Sequence, residues 1–245
     1  MGYTIVVTSG KGGTGKSTVT AACGTALALR GKSVLLIDCD WGLRCLDLML
    51  GITSETVYDL GDIIYGNCDI HNAIYEVPGI NGLYVIPAPN SVDYLNKADE
   101  ISNLCKSLAN DFDYIIIDCP AGVDKGFRAA VAPANLALVV VTPDAVSVRD
   151  AEKVGELLKR NGIKNQRLII NKFKRSVLRY ESTKNLDKII DSVSIQLIGV
   201  VPEDKNVQHL EALGQPIYGN SRAASAFRRI AARIEGEDVA LPRIL

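Results

Sequence analysis

A glycine- and lysine-rich stretch at residues 10–18 constrains the fold more than any other feature of this sequence. It reads Gly-Lys-Gly-Gly-Thr-Gly-Lys-Ser-Thr and fits the pattern Gly-x-x-x-x-Gly-Lys-Ser/Thr, which binds nucleotide phosphates. An apolar run at 3–8 precedes it, and an alanine- and leucine-rich segment at 17–30 follows it. This context predicts a strand, a phosphate-binding loop and a helix in succession. Glycines let successive backbone N–H groups point at the phosphates, and the helix N-terminus adds partial positive charge.

The residue types in this loop indicate individual roles. We expect Lys16 to reach the β- and γ-phosphates and the Ser17 hydroxyl to ligate Mg²⁺. The second lysine, Lys11, is not needed to hold the phosphates of its own nucleotide. It either reaches across a dimer interface to a partner's phosphates, as an arginine finger does, or is a solvent-facing lysine that the loop tolerates.

Further apolar runs of strand length alternate with helical patterns along the chain. Several runs are nearly continuous in Val, Ile and Leu, which is typical of parallel strands covered on both faces. We therefore predict an α/β fold with a single-domain, doubly wound, mostly parallel sheet, in which 147–161 and 223–235 are helices. The predicted strands are 3–8, 33–38, 83–87, 114–118, 136–142, 167–171 and 197–201.

Acidic residues follow two of these strands, at the edge of the sheet where such folds bind ligands. Asp118 ends its strand, a position from which a carboxylate can hold the metal, often through a water molecule. Asp38 and Asp40 lie on the same side of an extended segment. One of them can orient or activate the attacking water while the other supports Mg²⁺, or both can cap the turn at the strand exit.

The composition is that of a soluble globular protein, since 47% of the 245 residues are hydrophobic and 22% are charged. No apolar run approaches the ~20 residues that a membrane-spanning helix needs, and the N-terminus lacks the pattern of a signal peptide. The six cysteines show no C-x-x-C spacing, which favours reduced thiols over disulfides or a zinc site. We therefore expect a cytoplasmic protein.

The net charge of −1 conceals a basic stretch at residues 153–188. This stretch contains eleven Lys or Arg residues and three acidic residues, a local excess of eight positive charges. Such a surface can face nucleic acid or anionic lipid. The alternative is that these side chains form the solvated faces of helices.

The loop at residues 11–18 resembles the deviant Walker A loop of the ParA/MinD family of P-loop ATPases. Within that family, the segment at 38–48 is most similar to the MinD branch. The resemblance implies a P-loop NTPase fold of the SIMIBI type, with an ATPase domain at 1–236 and a short C-terminal tail at 237–245. It extends over about residues 3–236 through the segments 38–48, 117–122, 201–204 and 227–235.

The resemblance also implies a role for each site residue. Two ATP-bound monomers would form a nucleotide-sandwich dimer, in which Lys11 acts across the interface. Lys11, Lys16 and Asp40 would be catalytic, with Asp40 positioning the water, and Ser17, Asp38 and Asp118 would support Mg²⁺. Asn171 would bond the adenine edge beside the base-pocket residues Pro202 and Glu203. The full implied ATP-binding set is Gly10, Lys11, Gly12, Gly13, Thr14, Gly15, Lys16, Ser17, Thr18, Asn171, Pro202 and Glu203.

For the cell, the resemblance implies a switch that positions the division site. An ATP-bound dimer would attach peripherally to the inner face of the cytoplasmic membrane and recruit a MinC-like inhibitor. A MinE-like partner would then stimulate slow, Mg-dependent hydrolysis and release. The sequence departs from the family at Cys45, where asparagine is usual, and in its tail, where Pro242 and a single basic residue make a poor amphipathic anchor.

Two other functions fit the same fold. The basic stretch 153–188 favours a ParA-like, ATP-gated DNA-binding partitioning protein, for which salt-sensitive DNA retention would be the signature. A carrier of iron–sulfur clusters is disfavoured, because such relatives place ligand cysteines beyond the second Asp motif and no cysteine follows Cys119.

Overall fold

Eight strands form one sheet in the part of the chain that the structure, a computed structural model, describes: residues 2–41, 44–89, 98–120, 122, 125–174 and 186–241. The strands are β1 (Tyr3–Thr8), β2 (Val34–Asp38), β3 (Tyr75–Glu76), β4 (Leu83–Ile86), β5 (Tyr114–Asp118), β6 (Leu136–Val141), β7 (Gln166–Phe173) and β8 (Leu197–Pro202). Their order across the sheet is β3-β4-β2-β5-β1-β6-β7-β8. All neighbours are parallel except β3 and β4, so the carboxyl ends of seven strands share one edge.

Helices cover both faces of the sheet. The helices Lys16–Ala28 and Arg222–Ile234 bury Val19, Leu27, Phe227 and Ile230 against one face, and other helices cover the opposite face. The helices are α1 (Lys16–Ala28), α2 (Leu46–Met49), α3 (Leu60–Tyr65), α4 (Ala98–Leu108), α5 (Lys125–Val131), α6 (Ala145–Arg160), α7 (Leu186–Val193), α8 (Lys205–Ala212) and α9 (Arg222–Ile234), with a short 3-10 helix at Ile70–Ala73.

The central strands are buried on both sides, and their side chains alternate between the two cores. On β5, Ile115 and Ile117 pack in the core under α4 and α6, whereas Ile116 points into the core under α1 and α9. Both kinds of position are fully buried. A strand with two covered faces needs apolar residues at every position, which explains the continuous runs of Val, Ile and Leu.

The structure confirms the predicted α/β class and the mostly parallel sheet. Observed strand ends lie within two residues of the predicted ends. The sequence pattern did not predict β3, because two residues are too short to show a period. Helix α6 begins two residues before the predicted start, since Asp144 caps it by accepting a hydrogen bond from the Ser147 N–H at 3.0 Å.

The C-terminal end of the described chain packs back on α9. The Arg233 guanidinium donates to the carbonyl oxygen of Val239 at 3.0 Å from Nε and also contacts the carbonyl oxygen of Ile198 in β8. The predicted tail 237–245 lies partly outside the described residues, so the boundary at 236 stays a prediction. Among the helices of the described ranges, none combines the length and the apolar character that crossing a membrane requires.

Candidate nucleotide-binding site

The predicted phosphate loop lies between β1 and α1, at the carboxyl edge of the sheet. Gly13 and Gly15 have left-handed backbones, with φ of +76° and +91°, which residues with a Cβ rarely adopt. Gly10 leaves no room for a side chain, because a Cβ there would lie 2.5 Å from the carbonyl group of Asp150. The N-cap residue of α1 is Gly15, which has no side chain with which to cap the helix. This end of the helix therefore offers its N–H groups to an anion.

The Lys16 side chain is the strongest sign of an anionic ligand. It is only 7% exposed, yet no carboxylate of the described residues lies within 4.0 Å of its Nζ. Its positive charge opposes the rise in the pKa of Asp40 and of Asp118. The Thr14 hydroxyl, also buried, has no hydrogen-bond partner among the described residues. A lysine side chain that is largely buried without an ion pair is costly, so these residues fit a bound phosphate.

Asp118 holds the phosphate-loop helix to the end of β5. Its Oδ2 accepts a hydrogen bond from Ser17 Oγ at 2.5 Å, and its Oδ1 accepts one from Thr20 Oγ1 at 3.0 Å. Burial raises the pKa of Asp118 to about 7, and the negative charge of Asp38 acts in the same direction. The hydrogen bonds from Ser17 and Thr20 and the charge of Lys16 oppose that rise.

The oxygen donors of this corner fit Mg²⁺. The Ser17 hydroxyl and the Asp118 carboxylate lie side by side, and Asp38 pairs with Asp118 across the β2–β5 register. No group of three or more His, Cys, Asp or Glu side chains within the described ranges could hold a metal by itself. Mg²⁺ takes one or two carboxylates and completes its shell with water and substrate phosphates, and Asp118 beside the Ser17 hydroxyl offers ligands of this kind.

Asp38 has contacts that the sequence pattern did not predict. Its Oδ1 accepts the Asp40 N–H at 2.9 Å, and its Oδ2 accepts the Cys45 and Leu46 N–H groups, each at 3.1 Å. Burial raises the pKa of Asp38 to about 6, and these three hydrogen bonds oppose that effect. The Asp38 carboxylate therefore holds the backbone on both sides of the segment 40–46, which contains Asp40. The predicted support of Mg²⁺ by Asp38 stays a prediction.

Asp40 stands at the edge of the site rather than in the core. It is half-buried, which raises the pKa of its carboxyl group.

Arg44, four residues after Asp40, has a left-handed backbone, with φ of +36°, and pairs with the buried Asp47 at 2.7 Å. Residues 42 and 43 of the segment used for the family resemblance lie outside the described residues.

Lys11 contacts its own subunit in this structure. Its Nζ lies 3.2 Å from Asp144 Oδ1 at the N-terminus of α6, and both side chains are more than 40% exposed. Burial acts to raise the pKa of Asp144, but the hydrogen bonds from Thr142, the Ser147 N–H and Lys11 together outweigh it, so the pKa is lowered. The predicted contact with a partner's phosphates stays a prediction.

A second cleft adjoins the loop, and it contains the predicted base-pocket residues. Pro202 and Glu203 line it with Asn171, Val207 and Phe227. Asn171 donates from Nδ2 to the Thr14 carbonyl at 2.8 Å and accepts the Lys172 N–H at 2.9 Å. The amide has a further N–H and a further lone pair, so its predicted bond to adenine stays a prediction.

The structure thus brings the predicted site residues to one edge of the sheet, and it adds others. Thr20, Asp144 and Glu211 were not predicted. Glu211 accepts a hydrogen bond from Thr18 Oγ1 at 2.5 Å across 193 residues of sequence. Of these residues, only Thr20 had a signal in the sequence. It lies one helical turn after Lys16, a spacing that could have indicated a further side chain of α1 facing β5.

The described part of the basic stretch 153–188 is a mixed surface. On α6, Lys153 lies 3.8 Å from Asp150, and Lys159 lies 2.8 Å from Glu156. Residues 175–185 of this stretch lie outside the described residues. These ion pairs favour the interpretation that the basic residues of α6 form a solvated helical face.

Comparisons with known proteins agree with this geometry. Residues 5–217 match the family of CobQ/CobB/MinD/ParA nucleotide binding domains. The chain is 42% identical over 246 residues to the septum site-determining protein MinD of Bacillus subtilis, covering 98% of this chain and 92% of that protein. The structure is similar to that of the MinC:MinD cell division protein complex of Aquifex aeolicus, with a TM-score of 0.91, 36% identity and coverage of 98% and 99%. Septum site-determining MinD of Pyrococcus horikoshii, complexed with Mg-ADP, gives a TM-score of 0.86 at 30% identity, with 96% of each chain covered.

Proposed function

The chain belongs to the CobQ/CobB/MinD/ParA family of nucleotide-binding domains, and we propose that it is a MinD-like ATPase that positions the division site. One observation carries the nucleotide part of this proposal. The largely buried side chain of Lys16, the first residue of α1, has no carboxylate of the described residues within 4.0 Å of its Nζ, at a helix N-terminus whose N-cap residue, Gly15, makes no side-chain hydrogen bond. The division-site part rests on similarity to MinD proteins over nearly the whole chain.

In the proposed mechanism the loop 10–18 binds the phosphates of ATP, with Lys16 placed against the β- and γ-phosphates. Mg²⁺, held by Ser17 and by Asp118 directly or through water, would neutralise charge on the phosphate oxygens. Asp118 also keeps Ser17 oriented through the 2.5 Å hydrogen bond. Asn171, Pro202 and the other residues of the second cleft would bind the base.

Hydrolysis requires a water molecule in line with the γ-phosphate. Asp40 would position that water, and Asp38 holds the Asp40 backbone through its N–H. Positioning of this kind is most of what phosphoryl transfer asks of a protein. Lys11 would supply positive charge to the phosphates of a second copy, after its ion pair with Asp144 breaks. The cost of breaking it is small, because an exposed pair contributes less than about 1 kcal/mol.

The ATP-dependent dimer is the first test of this mechanism. We expect wild-type protein to sediment as a dimer with ATP and as a monomer with ADP. Asp40→Ala should stay dimeric with ATP and lose turnover, whereas Lys11→Ala should remain monomeric and inactive. Lys106→Ala, which removes an exposed lysine of α4, is the matched control. An ATP-dependent dimer of the Lys11→Ala variant would show that the cross-subunit role is wrong.

We further propose peripheral attachment of the dimer to the cytoplasmic membrane, and partners that resemble MinC and MinE. The solved complex of the Aquifex protein with MinC supports the first of these partners. Co-sedimentation with anionic vesicles in ATP and in ADP tests membrane attachment. Sedimentation with the vesicles in ATP but not in ADP supports membrane attachment. Protein that stays in the supernatant with both nucleotides contradicts it.

The DNA-partitioning alternative has less support. The relatives that match nearly the full length of the chain at the identities given above are MinD proteins. In addition, two lysines of α6, Lys153 and Lys159, form ion pairs with acidic neighbours on the same helix. ATP-dependent, salt-sensitive retention of DNA would reverse this preference.

A further inference from the structure

Strand β7 is irregular where it meets the phosphate loop. Between its pairings with Val200 and Pro202 of β8, it has two residues, Asn171 and Lys172, where β8 has one. Lys172 has a left-handed backbone, with φ of +54°. A residue with a Cβ adopts this conformation only at a cost in free energy. An extra residue of this kind is a β-bulge, and bulges re-aim side chains next to active sites.

The bulge turns two successive side chains toward the same loop. Asn171 Nδ2 donates to the Thr14 carbonyl oxygen at 2.8 Å, and Lys172 Nζ donates to the Gly13 carbonyl oxygen at 2.8 Å. In a regular strand these side chains would point to opposite faces. The Asn171 Oδ1 accepts the Lys172 N–H at 2.9 Å and so supports the bulge from within.

These two hydrogen bonds fix the direction of the loop's donors. A trans peptide is planar, and its C=O and N–H point in opposite directions. Holding the Gly13 carbonyl toward β7 therefore directs the Thr14 N–H away from β7. Holding the Thr14 carbonyl does the same for the Gly15 N–H. Successive N–H groups turned to one side are what a phosphate-binding loop requires.

We propose that Lys172 is a positioning residue, which orients the phosphate loop through the Gly13 carbonyl before a nucleotide binds. The inference rests on the proposed nucleotide-binding function and adds a residue to it. Lys172 is exposed, and among the described residues no carboxylate lies within 4.0 Å of its Nζ, which donates to the Gly13 carbonyl oxygen instead.

Lys172→Met tests the ammonium group alone, because methionine keeps the apolar stem that borders the second cleft. We expect the dissociation constants for ADP and for ATP, measured by displacement of a fluorescent ADP analogue, to rise about ten-fold in parallel, as for a lost charge-assisted hydrogen bond. The turnover number at saturating ATP should change little, since Lys172 orients donors in the ground state. Lys164→Met, at an exposed lysine before the start of β7, is the matched control and should bind as the wild type does.

Two further variants separate positioning from folding. Lys172→Arg keeps a charged donor within reach of Gly13 and should restore most of the affinity. Lys172→Gly relieves the left-handed backbone, so it should unfold at no lower temperature than the wild type and yet bind as weakly as Lys172→Met. Wild-type affinity in the methionine or glycine variant would overturn the inference. Failure of the wild-type protein to bind either nucleotide would instead overturn the proposed function itself.

Discussion

Replacing Asp118 by asparagine should stabilise the nucleotide-free protein while it removes ATPase activity. Burial and the charge of Asp38 raise the pKa of Asp118 from 3.8 to about 7. Between these two values the folded state binds the proton more tightly than the unfolded chain does. The free energy of unfolding therefore falls as the pH rises from about 4 to 7, and Asp38 adds to the effect because burial raises its pKa to about 6.

The magnitude follows from the size of the shift. About three pKa units correspond to about 4 kcal/mol against the ionised carboxylate of Asp118 at pH 8. Asparagine removes this cost, but its single side-chain oxygen can accept from only one of Ser17 and Thr20, and the donor left without an acceptor offsets about 2 kcal/mol. We expect a net gain of about 2 kcal/mol at pH 8, or about 6 °C in Tm for a chain of this length.

The assay is denaturant unfolding without nucleotide, in chelator, at pH 5 and pH 8. The wild type should be more stable at pH 5, and Asp118→Asn should lose most of this difference. Carboxyl groups with lowered pKa, such as those of Asp204 and Glu235, are already ionised at pH 5 and do not contribute. Asp111→Asn, at an exposed carboxylate, controls for the charge. If Asp118→Asn is less stable than the wild type at pH 8, burying the ionised carboxylate costs less free energy than the raised pKa of Asp118 implies.

Two further predictions concern the segment that follows Asp38. Gly51→Ala should destabilise the protein by about 3 kcal/mol, because Gly51 has φ of +74° and a Cβ would strike the Gly214 carbonyl oxygen. Gly66→Ala has the same backbone strain, with φ of +72° and open space, and should cost only about 1 kcal/mol; equal losses would show that the contact with Gly214 does not matter. The fluorescence of Trp41, the sole tryptophan and the neighbour of Asp40, should differ between the ADP and ATP states, and identical spectra would show that this segment does not respond to the γ-phosphate.

The sequence by itself determined the layered fold and predicted a candidate site at the carboxyl edge of the sheet. Residues 114–118 are continuously apolar up to Asp118, since a parallel strand covered on both faces must be apolar at every position. The glycine spacing in 10–18 is equally local, because left-handed backbones at Gly13 and Gly15 are required within the loop itself. Patterns of this kind depend on neighbours in sequence, and they can be read without a structure.

Only the tertiary structure decided how the site residues are held. Asp38 accepts three backbone N–H groups, Lys11 pairs with Asp144 across 133 residues, and a bulge in β7 turns Lys172 onto the phosphate loop. Each of these contacts depends on the register between strands or on segments far apart in sequence. No local periodicity encodes such distances, because they are set by the packing of the whole sheet and its helices.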